Sequence, residues 1–470
     1  LCIPHSGDSA KRLFINGRRG GYPGWRIERI SLLHGKDFES ADNGHLLLPP
    51  FDSLHRAPPC MTTHTEPRLL AHPAFVRFWL ARLAGIMGNQ MLMVAVAWHM
   101  YDLTSSPWDL GLVGLFQFVP ALIMTLPAGH LADRLHRGRI FASCMFVQAV
   151  VALTLLSATV GHFASRELIL GISVLLGLAR AFQMPAQQAL VPLLVPPSLL
   201  VRAVALSSTG MEIAVICGPA LGGLLYVTGA ANVYVCCTLL MLTASGLMLF
   251  VHYQHKPSHL AASWASLFAG VAFVWKHKLI LGATSLDLFA VLLGGAVALL
   301  PIYARDILHT GPVGLGFLRA APAVGALTMS LVLARWPMRR RVGKKLLMAV
   351  GLFGLATVVF GLSEYFWLSL LALVVTGATD CISVVTRNTL VQLETPDAMR
   401  GRVSAVNSIF IGASNQLGEF ESGATAALWG PVGSVVVGGV GTMLVAGLWF
   451  RFFPALAQRD RMQSNTSTHP

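Results

Sequence analysis

Charge is what this 470-residue chain has least of. Only 12% of its residues are Asp, Glu, Lys or Arg, against about 25% in a soluble domain. That shortage excludes an ordinary water-soluble surface. Acids are scarcer than bases, 21 against 34. Chemical signatures are missing as well. There is no G-x-x-x-x-G-K-[ST] phosphate loop, so nothing points to an ATP-driven pump. There is no H-E-x-x-H, no G-x-S-x-G and no cluster with metal-ligand spacing, so no enzyme, metal or cofactor is expected. The seven cysteines (2, 60, 144, 217, 236, 237, 381) show no C-x-x-C spacing, and five lie inside apolar runs, as packing residues do. Methionine is absent from residues 1–60, although the chain has 17. That stretch has no apolar run of membrane length and no secretory signal pattern. It reads as an over-extended start or a disordered tail ahead of Met61.

What is present is apolar sequence, 54% of the chain. Twelve segments approach or exceed the roughly 20 residues that span a bilayer as a helix: 75–101, 110–132, 140–161, 168–189, 203–227, 232–254, 279–303, 313–335, 346–363, 366–388, 403–427 and 432–453. Their connections alternate in charge. One set carries Arg134, Arg137 and Arg139, then Arg202, then Lys256, Lys276 and Lys278, then Arg335 to Lys345, then Arg400 and Arg402. The other set carries only Arg166 and Arg305. Cations gather on the cytoplasmic side, so both termini are expected there. The net charge of +13 is thus topogenic and not a nucleic-acid footprint. The segment 258–278 is broken by Ser and capped by cations, and suits an interfacial helix in a linker over 255–278.

The chain also repeats itself at a spacing of 200 residues. Leu190/Leu390, Val191/Val391, Leu193/Leu393, Pro196/Pro396, Arg202/Arg402, Ala205/Ala405 and Ser208/Ser408 coincide without a gap. Gly218/Gly418 and Gly223/Gly423 continue the register. The expected fold is therefore an all-α membrane protein, with twelve transmembrane helices in two pseudo-symmetric six-helix bundles over 61–254 and 279–454 and a cytoplasmic tail over 455–470. A duplicated architecture places a substrate site between its halves, near the bilayer midplane.

Polar groups inside apolar segments are costly and mark function or a structural pair. They are Arg180 in the fourth segment, Glu212 in the fifth, Asp287 in the seventh, Asp380 in the tenth, and Glu419 and Glu421 in the eleventh. The carboxylates are proton-coupling candidates, because burial raises a carboxyl pKa toward neutrality. Gly294 and Gly295 lie where they would loosen the seventh segment. Glu419 and Glu421 are two apart, so one is expected to face a cavity and the other to pair, with Arg319 or Arg387. Asp102 and Asp306, at the ends of their segments, are expected to be solvated or capping. Gln183, Gln187, Gln188, Asn407, Asn415 and Gln416 fit either a cavity lining or helix-packing hydrogen bonds.

Two motifs carry a resemblance. Residues 129–139, "GHLADRLHRGR", join two membrane-length segments by a short cationic turn. They resemble the signature loop of the major facilitator superfamily through Gly129, Asp133, Arg134, Arg137 and Arg139. His136 stands where that pattern has an inner glycine. The resemblance implies that these residues clip the two halves together on the inner side in the outward-open state. In the fifth segment, Gly218, Pro219, Gly222 and Gly223 form a G-P-x-x-G-G pattern similar to that of superfamily exporters, with Ala214 in place of a further glycine. Arg180 resembles the helix-four arginine linked with proton coupling in antiporters. Stretches such as "YDLTSSPWDLGLVGLFQFVPAL" and "TPDAMRGRVSAVNSIFIGASNQLGEFESG" resemble the branch of enterobactin and macrolide exporters. The resemblance implies a monomeric transporter of the bacterial inner membrane, driven by the proton gradient with no cofactor, exporting small amphipathic compounds. A lysolipid flippase and a non-transporting sensor are the alternatives.

Overall fold

The computed structural model describes residues 69–188, 190–253, 264–338 and 340–460. The stretch 1–60, the first part of the 255–278 linker, the end of the tail and the side chains of Asp133 and Arg134 lie outside the described residues. The long helices are α1 (Pro73–Thr104), α2 (Pro107–Arg134), α3 (Arg137–Val160), α4 (Arg166–Gln188), α5 (Leu200–Tyr226), α6 (Ala230–Leu249), α7 (Trp264–Lys276), α8 (Lys278–Leu293), α9 (Gly311–Arg335), α10 (Val342–Leu362), α11 (Phe366–Glu394) and α12 (Asp397–Phe452). Eleven stretches among the described residues are helical, long and apolar enough to cross a membrane. Most connections between them are short, so successive helices run antiparallel. The ends that carry Arg137, Arg139, Arg202, Arg335, Lys344 and Arg400 therefore share one side, the cationic end.

The outer surface is apolar, as lipid demands. Leu428 and Trp367 are 77% and 76% exposed. The exposed tryptophans and tyrosine form two tiers. Trp108, Tyr365, Trp367 and Trp429 stand at the end opposite the cations, and Trp275 and Trp336 stand at the cationic end. Such belts mark the two interfaces of a bilayer.

Two helices depart from regularity, for readable reasons. α12 is 56 residues long, about 84 Å if straight, against a hydrocarbon core of about 30 Å. It cannot stay straight. Gly430 takes φ 77°, ψ 162°, and Pro431 follows. Ser434 Oγ donates to the Ser422 carbonyl at 3.1 Å and lies 2.7 Å from Thr425 Oγ1. Twelve residues of straight helix would separate Ser422 and Ser434 by about 18 Å, so the chain folds back at Gly430 into two arms, 397–429 and 431–452. α8 stops at Leu293, although the apolar segment 279–303 continues past it. Gly294 and Gly295 favour the helix less than any residue except proline, and Pro301 cannot donate to a carbonyl four residues back. A 3-10 turn (Ala296–Leu299), a short helical piece (Leu300–Ile302) and a π turn (Tyr303–Ile307) complete the crossing.

The repeat seen in the sequence recurs in the packing. A Cβ added at Gly223 of α5 would lie 2.3 Å from the Pro312 carbonyl and 3.0 Å from Gly316 Cα, both on α9. One added at Gly423 of α12 would lie 2.8 Å from the Pro107 carbonyl and 2.6 Å from Gly111 Cα, both on α2. The same correspondence holds one layer in. Gly218 packs on the Met87 carbonyl of α1, and Gly418 on the Val291 carbonyl of α8. Backbones meet here because no side chain intervenes. The α2–α12 and α5–α9 contacts join the first half of the chain to the second, and those at Gly223 and Gly423 lie toward the end opposite the cations. α7 docks elsewhere, with Gly270 against the Arg402 carbonyl and Val406 at the start of α12.

A valine at Gly223 or at Gly423 is expected to force the backbones apart and cost about 1–3 kcal/mol, the usual penalty of overpacking. Gly246→Ala, where an added Cβ meets nothing within 4 Å, is expected to be neutral or stabilising. Thermal unfolding of the purified protein in detergent reads both.

Candidate transport site

α11 places Thr376, Asp380, Ser383 and Arg387 three or four residues apart, hence on one helix face. That face meets Asp287, nine residues into α8. The Arg387 and Asp287 side chains are only 1% and 6% exposed, with Nη2 and Oδ2 3.2 Å apart. Ser383 Oγ donates to Asp287 Oδ1 at 3.4 Å. Arg387 Nη1 donates to Asn407 Oδ1 at 2.9 Å, and Asn407 Nδ2 donates to Asn388 Oδ1 at 3.2 Å. The network is incomplete. Arg387 Nε has no acceptor among the described residues, and the ion contact through Nη2 lacks hydrogen-bond geometry. Arg387 is therefore the partner of Asp287, and the expectation that it serves Glu419 or Glu421 is corrected. Removing one member of such a pair strands a buried charge.

A void of about 10 Å³ lies beside this pair, bounded by Asp287, Asp380, Thr379 and Ser383 among others. Asp380 also borders a cavity of about 220 Å³. The wider cavity exists because α8 stops. Its wall is Gly294–Val297 from the break, Phe353 and Phe360 of α10, Thr376 of α11, and Asn415 and Glu419 of α12. Its lining comes from the second half of the chain, whereas the duplicated sequence places a site between the halves. The corresponding helix of the first half, α1, runs unbroken through Thr104.

The remaining candidates surround this cavity or stand apart from it. Glu419 is within electrostatic reach of Arg319 and Arg180, and an added Cβ at Gly114 of α2 would lie 3.0 Å from its Oε2. Arg180 is exposed. Glu212, half-buried, reaches electrostatically to Cys381 of α11 and so faces the second half. Glu421 makes no ion pair among the described residues. Gln183 bonds to Gln148 at 2.7 Å and to Gln187 at 3.4 Å, which is helix packing. Arg82 of α1 joins the intramembrane polar groups without having stood among the sequence candidates. Its Nη2 lies 3.5 Å from Met211 Sδ of α5, and its Nε has no partner among the described residues. The signal that could have found it is a second arginine in the first apolar run, after Arg77.

The ends of the bundle differ. Opposite the cations, the Tyr101 hydroxyl donates to the Asp306 carboxylate. Arg305 Nη1 lies 3.2 Å from Asp102 Oδ1, and the guanidinium sits 5.5 Å from the centre of the Tyr101 ring. Asp102 and Asp306 are solvent-exposed, as expected, and each has a partner besides. They bind the end of α1 to the π turn after α8. The π turn, with its wider register, aims Arg305 and Asp306 at that target. At the cationic end, an added Cβ at Gly129, Gly401 or Gly412 meets nothing within 4 Å. The 135–139 turn is held locally. Its His136 ring centre lies 4.4 Å from that of Tyr253, and the Gly138 N–H donates to the Tyr253 hydroxyl at 3.0 Å. His136, the residue that departs from the superfamily pattern, thus has a structural role of its own. The close backbone contacts between the two halves thus stand at the end opposite the cations. Pro219 and Gly222 sit in the closed half of α5, where an added Cβ at Gly222 would lie 3.0 Å from Met91 Cα.

Comparison with known proteins gives the family and the fold. The sequence pattern of the transmembrane secretion effector family matches residues 65–470. The chain belongs to that family, within the major facilitator superfamily. It is 28% identical over 396 residues to the enterobactin exporter EntS of Citrobacter koseri, covering 80% of this chain and 91% of that protein. It is 27% identical over 399 residues to EntS of Shigella boydii, covering 81% and 92%. Among solved structures, a mutant of the nucleoside transporter NupG matches with a TM-score of 0.67 at 13% identity, covering 81% of this chain and 100% of that one. A bacterial homologue of the human lysosomal transporter Spinster, inward-facing and occupied, matches with 0.64 at 13% identity, covering 81% and 97%. These likenesses establish the fold. The protein is a multi-pass membrane transporter of the major facilitator superfamily.

Asp287→Asn alone is expected to cost this transporter about 3–5 kcal/mol by stranding Arg387, and Asp287→Asn with Arg387→Met to recover most of it; thermal unfolding in detergent reads the difference. Tyr101→Phe with Arg305→Ala is expected to loosen the closed end. A cysteine in place of Asn415, with the native cysteines removed, then reacts faster with an impermeant maleimide applied from that end.

Proposed function

We propose that this chain is a proton-coupled exporter of small amphipathic compounds, built of twelve spans in two six-helix bundles. It resides in the bacterial inner membrane with both termini cytoplasmic, and works by alternating access. The observation that carries the reading is the shared wall, Asp380 among it, between the wide cavity and the water-sized void beside the buried Asp287–Arg387 pair. A compound in the cavity and a proton on the acids beside it occupy adjoining space, which is what exchange of one for the other requires. The fold-back of α12 at Gly430 supports two spans there, and hence twelve. Closure at the end opposite the cations supports an inward-facing state under the positive-inside rule. The exporter activity of the EntS relatives supports the outward direction. Transport uses the proton gradient and no resident cofactor, and a single chain suffices.

The test is retention of dyes, macrolides and catechol siderophores in cells with and without the protein, repeated with a protonophore and with Asp380→Asn. Lower retention that is lost under both treatments is expected. Lower retention that survives the protonophore points to a flippase-like, gradient-independent activity. Unchanged retention across the panel overturns the reading.

A further inference from the structure

Two carboxylates, Asp380 and Glu419, line the wide cavity, and no Lys or Arg stands among its lining residues. Arg387 is committed to Asp287 at 3.2 Å. Glu419 has two guanidinium groups within electrostatic reach, Arg319 and Arg180. Asp380 borders both the void and the cavity, and it makes no hydrogen bond or ion pair with any described residue. The guanidinium within its electrostatic reach is Arg387, already in contact with Asp287, so two carboxylates share one base there. The surroundings of Asp380 complement a cation further. The chain break brings the carbonyl end of α8 to the cavity at Gly294 and Gly295, and the C-terminal end of a helix carries a partial negative charge. Across the space stand the rings of Phe353 and Phe360 and the hydroxyls of Thr357 and Thr376. Aromatic faces beside a carboxylate are the chemistry that recognises an ammonium group carrying apolar substituents. The volume, about 220 Å³, limits the body to roughly a single ring with its substituents, at the small end of ligand pockets.

We propose that this cavity is a binding site for singly charged aromatic amines and quaternary ammonium compounds, with Asp380 as the counter-charge and Phe353 and Phe360 as the apolar wall. The proposal rests on the export reading for its physiological meaning, but binding itself is independent of transport. An anionic compound such as a catechol carboxylate would meet Asp380 and the α8 carbonyl end with the wrong sign.

The test is equilibrium binding to the full chain in nanodiscs, corrected against empty nanodiscs and made without any gradient. The probes are benzyltrimethylammonium, its neutral isostere neopentylbenzene, and the anion 2,3-dihydroxybenzoate. The expected result is that the cation binds at least about tenfold more tightly than the isostere, and that the anion does not compete. Asp380→Asn is expected to abolish the preference for the cation while leaving the isostere bound as before, and Asp380→Glu to retain the preference. Equal binding of the two isosteres, or tighter binding of the anion, overturns the proposal on the unaltered protein alone, whether or not a variant folds. Persistence of the preference in Asp380→Asn overturns the role of that residue. If the cation binds as expected but cells retain every compound tested, it is the export reading that fails and not the site.

Discussion

Four glycines hold the two halves of this transporter together where no side chain could. Gly223 against Gly316 and Gly423 against Gly111 bring helix backbones into contact, twice, at the same end of the molecule. In lipid there is little hydrophobic gain in pairing helices, so close packing has to supply the attraction. The rest of the architecture is arranged around that pair of joints. Polar contacts reinforce it through Tyr101, Asp102, Arg305 and Asp306. A structure joined at one end has its freedom at the other.

The second constraint is the cost of buried charge. Asp287 and Arg387 are almost wholly removed from solvent. Their attraction is offset by the loss of hydration. The pair is better suited to answering a change of charge nearby than to stabilising the fold. The interrupted α8 provides that neighbourhood. Its break opens the cavity on one side, and its intact part carries Asp287 on the other. One local defect in helix geometry thus brings a cavity-lining acid, Asp380, next to a buried ion pair.

Much of this is legible in the sequence because lipid is a demanding solvent. Apolar runs of membrane length mark the spans, and the cation count of the connections marks which helix ends lie together. The coincidence of Gly218/Gly418 and Gly223/Gly423 marks one side of each close approach. The other side, the matching P-x-x-x-G of Pro107–Gly111 and Pro312–Gly316, gains its meaning only once the helices are paired. What is illegible depends on distance and not on order along the chain. Asp102 and Asp306 look like solvated helix ends until α1 and the π turn are seen side by side. Arg387 has several acids within reach of its sequence position, and only the packing of α11 on α8 selects Asp287. The 200-residue register says where repeats correspond but not where they differ, so the cavity in the second half, which arises from a difference, is invisible to it.

The aromatic tiers have a mechanical consequence. Trp108, Tyr365, Trp367 and Trp429 belong to both halves, and so to both sides of the joint, yet they stand at one end of the helices. Indole and phenol rings resist leaving the headgroup layer, because one edge is apolar and the other hydrogen-bonds. Any large rearrangement that slid one half along the membrane normal would drag part of this girdle into hydrocarbon or water. Tilting about an axis in the membrane plane would not. The girdle acts as a bearing, and it penalises vertical travel of either half while leaving rotation nearly free.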